Sequence, residues 1–438
     1  MTRHDARGEA LSTDQAASLA AYEHALDLFN SLQLDPIAVL QPVLAQDPDF
    51  ISGHLMMAGF MLSAIDGQLL QAARESLAAA AASRHRPNPR ERSFTAALQR
   101  WADGDMRGAN RLLDRHLVDH PRDLFALQLT HMADLVLGQS AMLRDRIGRA
   151  LDQWHADDVG YGYVLGMHAF GLEECNEYAR AEALGMEALE RNPCDAWAVH
   201  AVAHVYEMQG RVAEGIRWLT TGTSHWQQNN ALAVHNHWHL ALMHLSNDDH
   251  AAALALYDRA IAPGPASLAL DLVDASALLW RLGLRGIDVS TRWAPLAARW
   301  REQAAWGWSV FNDTHAMLAL VGAGERVEAD AGQQAMAARP ADAATPWWSE
   351  AATLCEAVMA FGEGRHAHCA QLLLPLLPAT HGFGGSQAQR SLIYLTATEA
   401  ARRAGDTALW RALQSEQAAR KAAAWPRGAR ESVELKAA

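Results

Sequence analysis

The chain has 438 residues, a formal net charge of −13 at neutral pH and only four cysteines, and half of its residues are hydrophobic. The acidic balance argues against nucleic-acid binding, because no concentrated field of Lys and Arg exists to displace counterions. No apolar run reaches the roughly 18 residues of a membrane span. The stretch 1–15 lacks the apolar core of a secretory signal, and the cysteines show no metal-type spacing. We therefore expect a cytoplasmic protein without membrane or nucleic-acid partners.

Good helix formers, mainly Ala, Leu, Glu, Arg and Gln, dominate long stretches, whereas strand patterns are nearly absent. This composition predicts an all-α fold. In chain order, the predicted helices span 14–32, 51–65, 70–83, 91–103, 123–137, 159–171, 178–191, 195–209, 212–220, 231–245, 250–261, 267–283, 313–322, 349–363, 366–376, 388–403 and 406–422.

Three turns share one pattern, in which a polar or acidic residue and a proline precede a helix. Their prolines, Pro48, Pro121 and Pro193, lie 73 and 72 residues apart, which is about two tetratricopeptide units of roughly 34 residues each. After Pro193, Asp195 can cap a first helix, and Gly210 ends it before a second helix. The spacing predicts a tetratricopeptide-like solenoid of stacked helical hairpins.

The short stretches 262–266 and 338–346 contain Pro and Ala and are predicted to be connections within this array. The predicted organisation is N-terminal helical repeats at 1–110, central repeats with His-rich motifs at 111–261, C-terminal repeats at 262–425 and a tail at 426–438.

Histidines are dense in the middle third of the chain. His200 and His204 are one helical turn apart and Glu207 follows three residues later, so the three side chains lie within an arc of about 60°. His235 and His239 repeat this arrangement in the next predicted hairpin. The two predicted helices are separated by one helix, so we expect them to stack side by side and their imidazoles to meet.

Further polar residues occupy otherwise apolar helices. Asp271 and Asp274 lie one turn apart, while Asp313 and His315 mark a helix start, where Asp313 could be the N-cap and His315 would face inward. Each has a plain structural explanation, such as a cap or an ion pair with an arginine, and Trp238 can simply line the core or a groove. However, buried carboxylates and imidazoles cost several kcal/mol unless they are paired or metal-bound. Their concentration in adjacent helices favours a functional polar pocket.

Two histidines one turn apart, with a carboxylate from another helix, form a known zinc arrangement. His200, His204 and His239 are therefore candidate ligands of a divalent metal such as zinc, although the spacing does not require a metal. Without one, a His–Asp dyad could move protons. The segment between His200 and His204 lacks the glutamate of the HExxH motif, so a metalloprotease mechanism is not supported.

Several motifs resemble the tetratricopeptide repeat protein 38 family and its bacterial members, in the family's order and over roughly residues 110–400. They are HMADLVLG (131–138), MLRDRI (142–147), FGLEE (170–174), DAWAVHAVAHVYEM (195–208), HNHWHLAL (235–242), ALALYDRAI (253–261), LDLVDASALLWRL (270–282), FNDTHAMLAL (311–320) and GGSQAQRS (384–391). The resemblance implies a tetratricopeptide-like superhelix with polar residues inside its helices, but it implies no activity. Ser391 stands where the family's last motif usually has an acidic residue.

We predict a small-molecule enzyme that carries out hydrolysis or other acid/base chemistry, with metal assistance left open. The predicted catalytic residues are His200, His204, Glu207, His239, Asp274 and His315. The predicted substrate-binding residues are His131, Asn236, Trp238 and Arg390, with Arg390 holding a substrate anion. The alternative function is a tetratricopeptide-type scaffold that binds a peptide in an open groove and holds no metal. A homodimer is compatible with the sequence.

Overall fold

A computed structural model describes residues 3–264, 267–303, 306–339 and 347–424. Over these residues the protein is all-α, with 22 α-helices and a single pair of two-residue strands, β1 (Arg3–His4) and β2 (Ala10–Leu11). The helices are α1 (Ala16–Asn30), α2 (Pro36–Gln46), α3 (Ile51–Ser63), α4 (Leu70–Ala82), α5 (Pro89–Ala102), α6 (Met106–Asp119), α7 (Leu124–Val136), α8 (Ser140–Leu151), α9 (Tyr161–Glu174), α10 (Tyr178–Arg191), α11 (Ala196–Met208), α12 (Val212–Thr220), α13 (Ala233–Ser246), α14 (His250–Leu256), α15 (Ala269–Leu284), α16 (Ser290–Gln303), α17 (Val310–Ala323), α18 (Arg326–Ala337), α19 (Trp348–Gly362), α20 (His366–Leu373), α21 (Gln387–Arg403) and α22 (Thr407–Ala424).

The prediction of an all-α protein is confirmed, but five helices were missed. These are α2, α6, α8, α16 and α18. Both α2 and α16 contain an internal proline, which argues against a helix when only the sequence is read. The others bury only a narrow stripe and are rich in polar residues, so their apolar signal is weak.

Apart from α14 and α15, consecutive helices pack against each other, and many alternate helices also pack against each other. The second set runs from α9 through α11, α13, α15 and α17 to α19. The packing of α11 on α13 confirms that these two helices lie side by side. Pro48, Pro121 and Pro193 stand just before α3, α7 and α11, so two helix pairs separate successive prolines.

Segments far apart in sequence meet across the molecule. The carbonyl of Ile65 accepts a hydrogen bond from Asn312 Nδ2 (2.8 Å), and the backbone N–H of Leu34 donates to the carbonyl of Asn229 (2.9 Å). The N–H of Gly385 donates to the carbonyl of Leu135 (2.9 Å). The N-terminal and C-terminal helices are therefore both anchored to the central ones.

Two large hydrophobic clusters form the core, one from Leu11 to Ala201 and the other from Ala196 to Leu413, and they adjoin at α11. Within the described ranges, no helix has both the length and the apolar character that crossing a bilayer requires. The predicted connections at 262–266 and 338–346 extend beyond the described residues, and the predicted tail at 426–438 lies outside them.

Candidate metal centre

Five neighbouring helices bring polar side chains to one buried region. Glu173 and Glu174 end α9, while α11 carries His200, His204 and Glu207 and α13 carries Asn236 together with the His235/His239 pair. Asp274 comes from α15 and His131 from α7. The i, i+4 spacing places both imidazoles of each pair on the same side of its helix, and the packing of α11 on α13 brings the pairs together.

The four central imidazoles form a compact cluster. Ring centroids lie 4.4 Å apart for His200 and His204, 4.7 Å for His235 and His239, and 4.3 Å for His204 and His239. One ring nitrogen from each of the four histidines lies within 4.8 Å of the corresponding nitrogens of the others. The expectation that these imidazoles meet is confirmed.

Carboxylates lie near the Nδ1 atoms of three of the rings. His239 Nδ1 lies 2.7 Å from Glu207 Oε2, and His235 Nδ1 lies 2.8 Å from Asp274 Oδ2. His204 Nδ1 lies 3.3 Å from Glu173 Oε2, but without the alignment of a hydrogen bond. A carboxylate on the far nitrogen fixes the tautomer and orientation of a histidine, and metal-binding histidines commonly have such a partner.

The sides of the rings that point together have no carboxylate partner. His235 Nε2 and His239 Nε2 lie 3.2 Å apart. If both rings are neutral and donate Nδ1–H to their carboxylates, two lone pairs face each other. A cation between them would remove this repulsion, and two nitrogens of a tetrahedral zinc site lie about 3.4 Å apart, given Zn–N bonds of roughly 2.0–2.1 Å.

A metal-free arrangement explains part of this geometry. If His235 carries protons on both nitrogens, Nε2–H donates to His239, and a chain runs from Asp274 through both rings to Glu207. Neither arrangement gives a partner to His200 or His204, whose four ring nitrogens are buried without a hydrogen bond. Such atoms cost roughly 1–3 kcal/mol each when they stay unsatisfied, so a ligand at this position would be stabilising.

Burial keeps three of the four imidazoles neutral. It lowers the pKa of His204 to about 4 and holds the pKa values of His200 and His239 well below their usual range. Burial also raises the pKa of Glu207 to about 7 and that of Glu173 well above its ordinary value. Neutral imidazoles keep the lone pairs that metal ions and protons need. Only His235 and Glu207 keep appreciable exposure, with 15% and 14% of their side-chain surface accessible, so the cluster is approached at this edge.

Arg390 lies at the other end of the cluster and is already paired. Its guanidinium donates to Glu174 Oε2 (3.0 Å), and the same carboxylate accepts from the backbone N–H of Gln387 (2.7 Å) at the start of α21. Glu174 thus takes the place of an outside anion at this arginine and helix N-terminus. Glu173, beside it, is fully buried and has no hydrogen bond on either oxygen.

The other predicted binding residues surround the cluster. His131 Nε2 accepts a hydrogen bond from the indole of Trp197 (3.1 Å), whereas neither side-chain polar atom of Asn236 has a partner. Trp238 is fully buried and stacks on His235 with ring centroids 5.2 Å apart, while the guanidinium of Arg281 lies over its ring. Trp238 therefore forms a wall of the cluster and does not line an open groove.

The residues predicted at the start of α17 do not join the cluster. His315 Nδ1 lies 2.7 Å from the carbonyl of Phe311, within its own helix, and burial lowers the pKa of His315 to about 4. The prediction that Asp313 caps this helix is wrong. The helix begins three residues earlier than predicted, because the hydroxyl of Ser309 accepts the cap hydrogen bond, and Asp313 accepts from the N–H of Gly307 instead (2.7 Å).

Two cluster members were absent from the predicted metal set. His235 was recognised as half of an i, i+4 pair, but its ring nitrogen was not assigned to the metal. Glu173 lies in the last turn of α9, beyond the predicted helix at 159–171, and only the packing of α9 against α11 reveals its contact with His204. Asp271 is a cap, since its carboxylate accepts from the N–H of Leu268 (2.9 Å).

No protein-family model matches this chain.

Proposed function

We propose that the protein is a metal-dependent enzyme that acts on a small molecule by hydrolysis or related acid/base chemistry. The metal is a divalent ion such as zinc, held by His200, His204, His235 and His239. The observation that supports this proposal most strongly is the convergence of four imidazoles in a buried region, two of which, His200 and His204, have no hydrogen bond. Imidazole is a preferred ligand of zinc and of neighbouring transition metals.

Each surrounding side chain has a distinct task in this proposal. Glu207 and Asp274 orient His239 and His235, as carboxylates commonly do behind metal-bound imidazoles. A bound ion that accepts a fifth ligand beside the four imidazoles would supply Lewis acidity and lower the pKa of a water molecule. Because His235 and Glu207 lie at the exposed edge, they are the groups that a substrate meets first, and Glu207 is suited to accept or return a proton there.

We further propose that the helix pairs form a tetratricopeptide-like solenoid and that the chain belongs to the tetratricopeptide repeat protein 38 family. The alternating helix packing and the proline spacing support the first statement, and the ordered motifs support the second. The peptide-scaffold function is less favoured. Its groove should be open, whereas the polar inner faces of α11 and α13 are buried.

Metal content tests the proposal directly. Protein produced without a histidine tag should retain about one equivalent of a transition metal after dialysis, measured by inductively coupled plasma mass spectrometry. His239→Ala and His204→Ala should lose it, because each removes a ligand. His24→Ala, which alters an exposed histidine on α1, is the matched control and should keep the metal. Metal-free wild type with an unchanged melting temperature after zinc addition would overturn the metal site.

The catalytic part needs its own measurement. Metal-loaded wild type should hydrolyse at least one member of a panel of small esters, amides and phosphoesters, and the apoprotein and His239→Ala should not. Equal turnover by metal-loaded and metal-free protein would contradict metal dependence. A metal-loaded protein that is inert on all panel members would favour a structural metal.

A further inference from the structure

A cavity of about 210 Å³ lies away from the four-histidine cluster, between Gly67 in the connection from α3 to α4, the end of α16 and the starts of α17 and α18. None of the four clustered histidines lines it. Its walls are Gly67, Trp300, Arg301, Gln303, Trp306, Trp308, Ser309, Asn312, Asp313, Ala316, Leu320, Glu328 and Ala331. The cavity is large enough for a small organic molecule.

Three indoles dominate this cavity. The ring of Trp300 is fixed by a hydrogen bond from its N–H to Ser276 Oγ (2.8 Å). The ring of Trp306 lies against Gly332, where any larger residue would place its Cβ in contact with the indole. Trp308 contributes the third ring. Aromatic faces carry negative potential and attract organic cations, most strongly when the ring is an indole.

The polar atoms of the wall are mainly acceptors. Asn312, 8% exposed, donates its amide N–H to the carbonyl of Ile65 and leaves Oδ1 without a partner. Gln303 Oε1 is also buried without a partner, and Trp308 Nε1 adds an unpartnered donor. Asp313 uses one oxygen to accept from Gly307. Unsatisfied acceptors beside a carboxylate call for a ligand that donates hydrogen bonds.

The charges around the cavity agree with such a ligand. Glu328 supplies an exposed carboxylate and Asp313 a buried one, whose pKa burial raises to about 7 although nearby Arg339 lowers it in part. The cationic wall residue, Arg301, has its guanidinium in an ion pair with Glu325 (2.9 Å). A positively charged ligand would therefore meet indole faces and carboxylates, and its charge would favour the ionised form of Asp313.

We propose that this cavity binds a small protonated organic amine, with its N–H groups on Asn312, Gln303 and Asp313 and its carbon chain against Trp300, Trp306 and Trp308. This site is separate from the metal cluster and does not depend on it. It adds recognition of an alkylammonium group to the proposed function.

Calorimetric titration of the full-length protein with butylammonium chloride tests the proposal, and 1-butanol is the neutral ligand of similar shape. Butylammonium should bind about tenfold more tightly than butanol, because the alcohol lacks the charge that interacts with indoles and carboxylates. Equal affinities for butylammonium and 1-butanol would show that the cavity recognises only the apolar chain, and this would overturn the proposal. Absence of binding by both probes at millimolar concentration would also overturn the proposal.

Two variants locate the site. Trp306→Leu should weaken butylammonium binding about tenfold, and Trp410→Leu, on α22, is the matched control that should not. Because Trp306→Leu could disturb folding, Ala331→Leu provides a second variant. Residue 331 is exposed at the rim, so the larger side chain narrows the cavity at little structural cost. Both variants should keep wild-type metal content, and unchanged amine affinity in both would contradict this location.

Discussion

The protein contains two buried polar regions that differ in how completely their atoms are paired. In the N-terminal region, Asp123 Oδ2 accepts from Arg90 Nε (2.7 Å) and lies 2.9 Å from His116 Nε2, whose Nδ1 lies 2.7 Å from the hydroxyl of Ser93. Arg90 also donates to the hydroxyl of Tyr22 (2.8 Å). Every one of these side chains has found a protein partner.

The central cluster uses the same residue types without reaching this state. His200, His204, Glu173 and Asn236 are as deeply buried as Asp123, yet none of their side-chain polar atoms has a well-aligned hydrogen bond. A fully paired network stabilises the fold by itself, whereas a converging set of unpaired donors and acceptors gains its stabilisation from a ligand.

The largest expected effect comes from Asp123→Asn. The amide can still cap α7, but it leaves the buried Arg90 cation with only the more distant carboxylate of Glu9, 4.0 Å away, so the unfolding free energy should fall by roughly 3–5 kcal/mol. Asp195→Asn is the matched control, because Asp195 caps α11 in the same way and has no ion pair. Urea denaturation of both variants measures the difference. Equal losses would show that the ion pair contributes nothing beyond the exchange of a capping carboxylate for an amide.

Asp274→Asn should separate ligand binding from stability in the central cluster. The amide cannot hold His235 as a carboxylate does, so metal affinity should fall about 10–100-fold. The melting temperature of the metal-free form should stay near or above wild type, because a buried charge is removed. Competition with a metal indicator gives the affinity, and Asp288→Asn, on the exposed turn before α16, is the control.

The opposite result would be equally informative. If Asp274→Asn or His204→Ala costs roughly 1–3 kcal/mol and no metal is present to be lost, the cluster is a structural network like the N-terminal one. The enzyme proposal would then give way to the scaffold function.

The sequence was sufficient for the all-α fold and for the meeting of the histidine pairs, because both depend on helical periodicity and on the order of hairpins. It was not sufficient for contacts set by three-dimensional packing. Glu174 meets Arg390 across more than two hundred residues, and Ile65 meets Asn312 across a similar separation. The three-indole cavity likewise arises where α16, α17 and α18 converge, and two of these helices gave no clear signal.

The two capping aspartates should also respond oppositely to pH. Burial would raise the pKa of Asp123, but Arg90 and His116 outweigh burial and hold it far below its usual range. Its stabilisation is present above about pH 4 and is lost as pH falls further. Burial raises the pKa of Asp195 to about 7, so its contribution is full below about pH 4 and is lost as pH rises towards 7.

Denaturation of wild type, Asp123→Asn and Asp195→Asn between pH 3 and 8 measures these contributions as differences between curves. The difference in unfolding free energy between wild type and Asp123→Asn should shrink as pH falls. The stability of the Asp195 variant relative to wild type should increase as pH rises, by on the order of 1 kcal/mol for each unit by which the folded-state pKa of Asp195 exceeds its unfolded value. Parallel curves for both variants would contradict the assigned burial and pairing.

The smallest expected effect compares two buried asparagines. Asn110 Nδ2 donates to Asp134 Oδ1 (2.5 Å), whereas both polar atoms of Asn236 are unpartnered. Asn110→Leu should destabilise the protein because it removes a partner of a buried carboxylate, while Asn236→Leu should be neutral or stabilising by about 1 kcal/mol in the absence of ligand. Thermal melts of the metal-free proteins measure both changes. A clear loss of stability in Asn236→Leu would mean that its amide is paired in solution, and the contrast between the two regions would then be smaller than their geometry indicates.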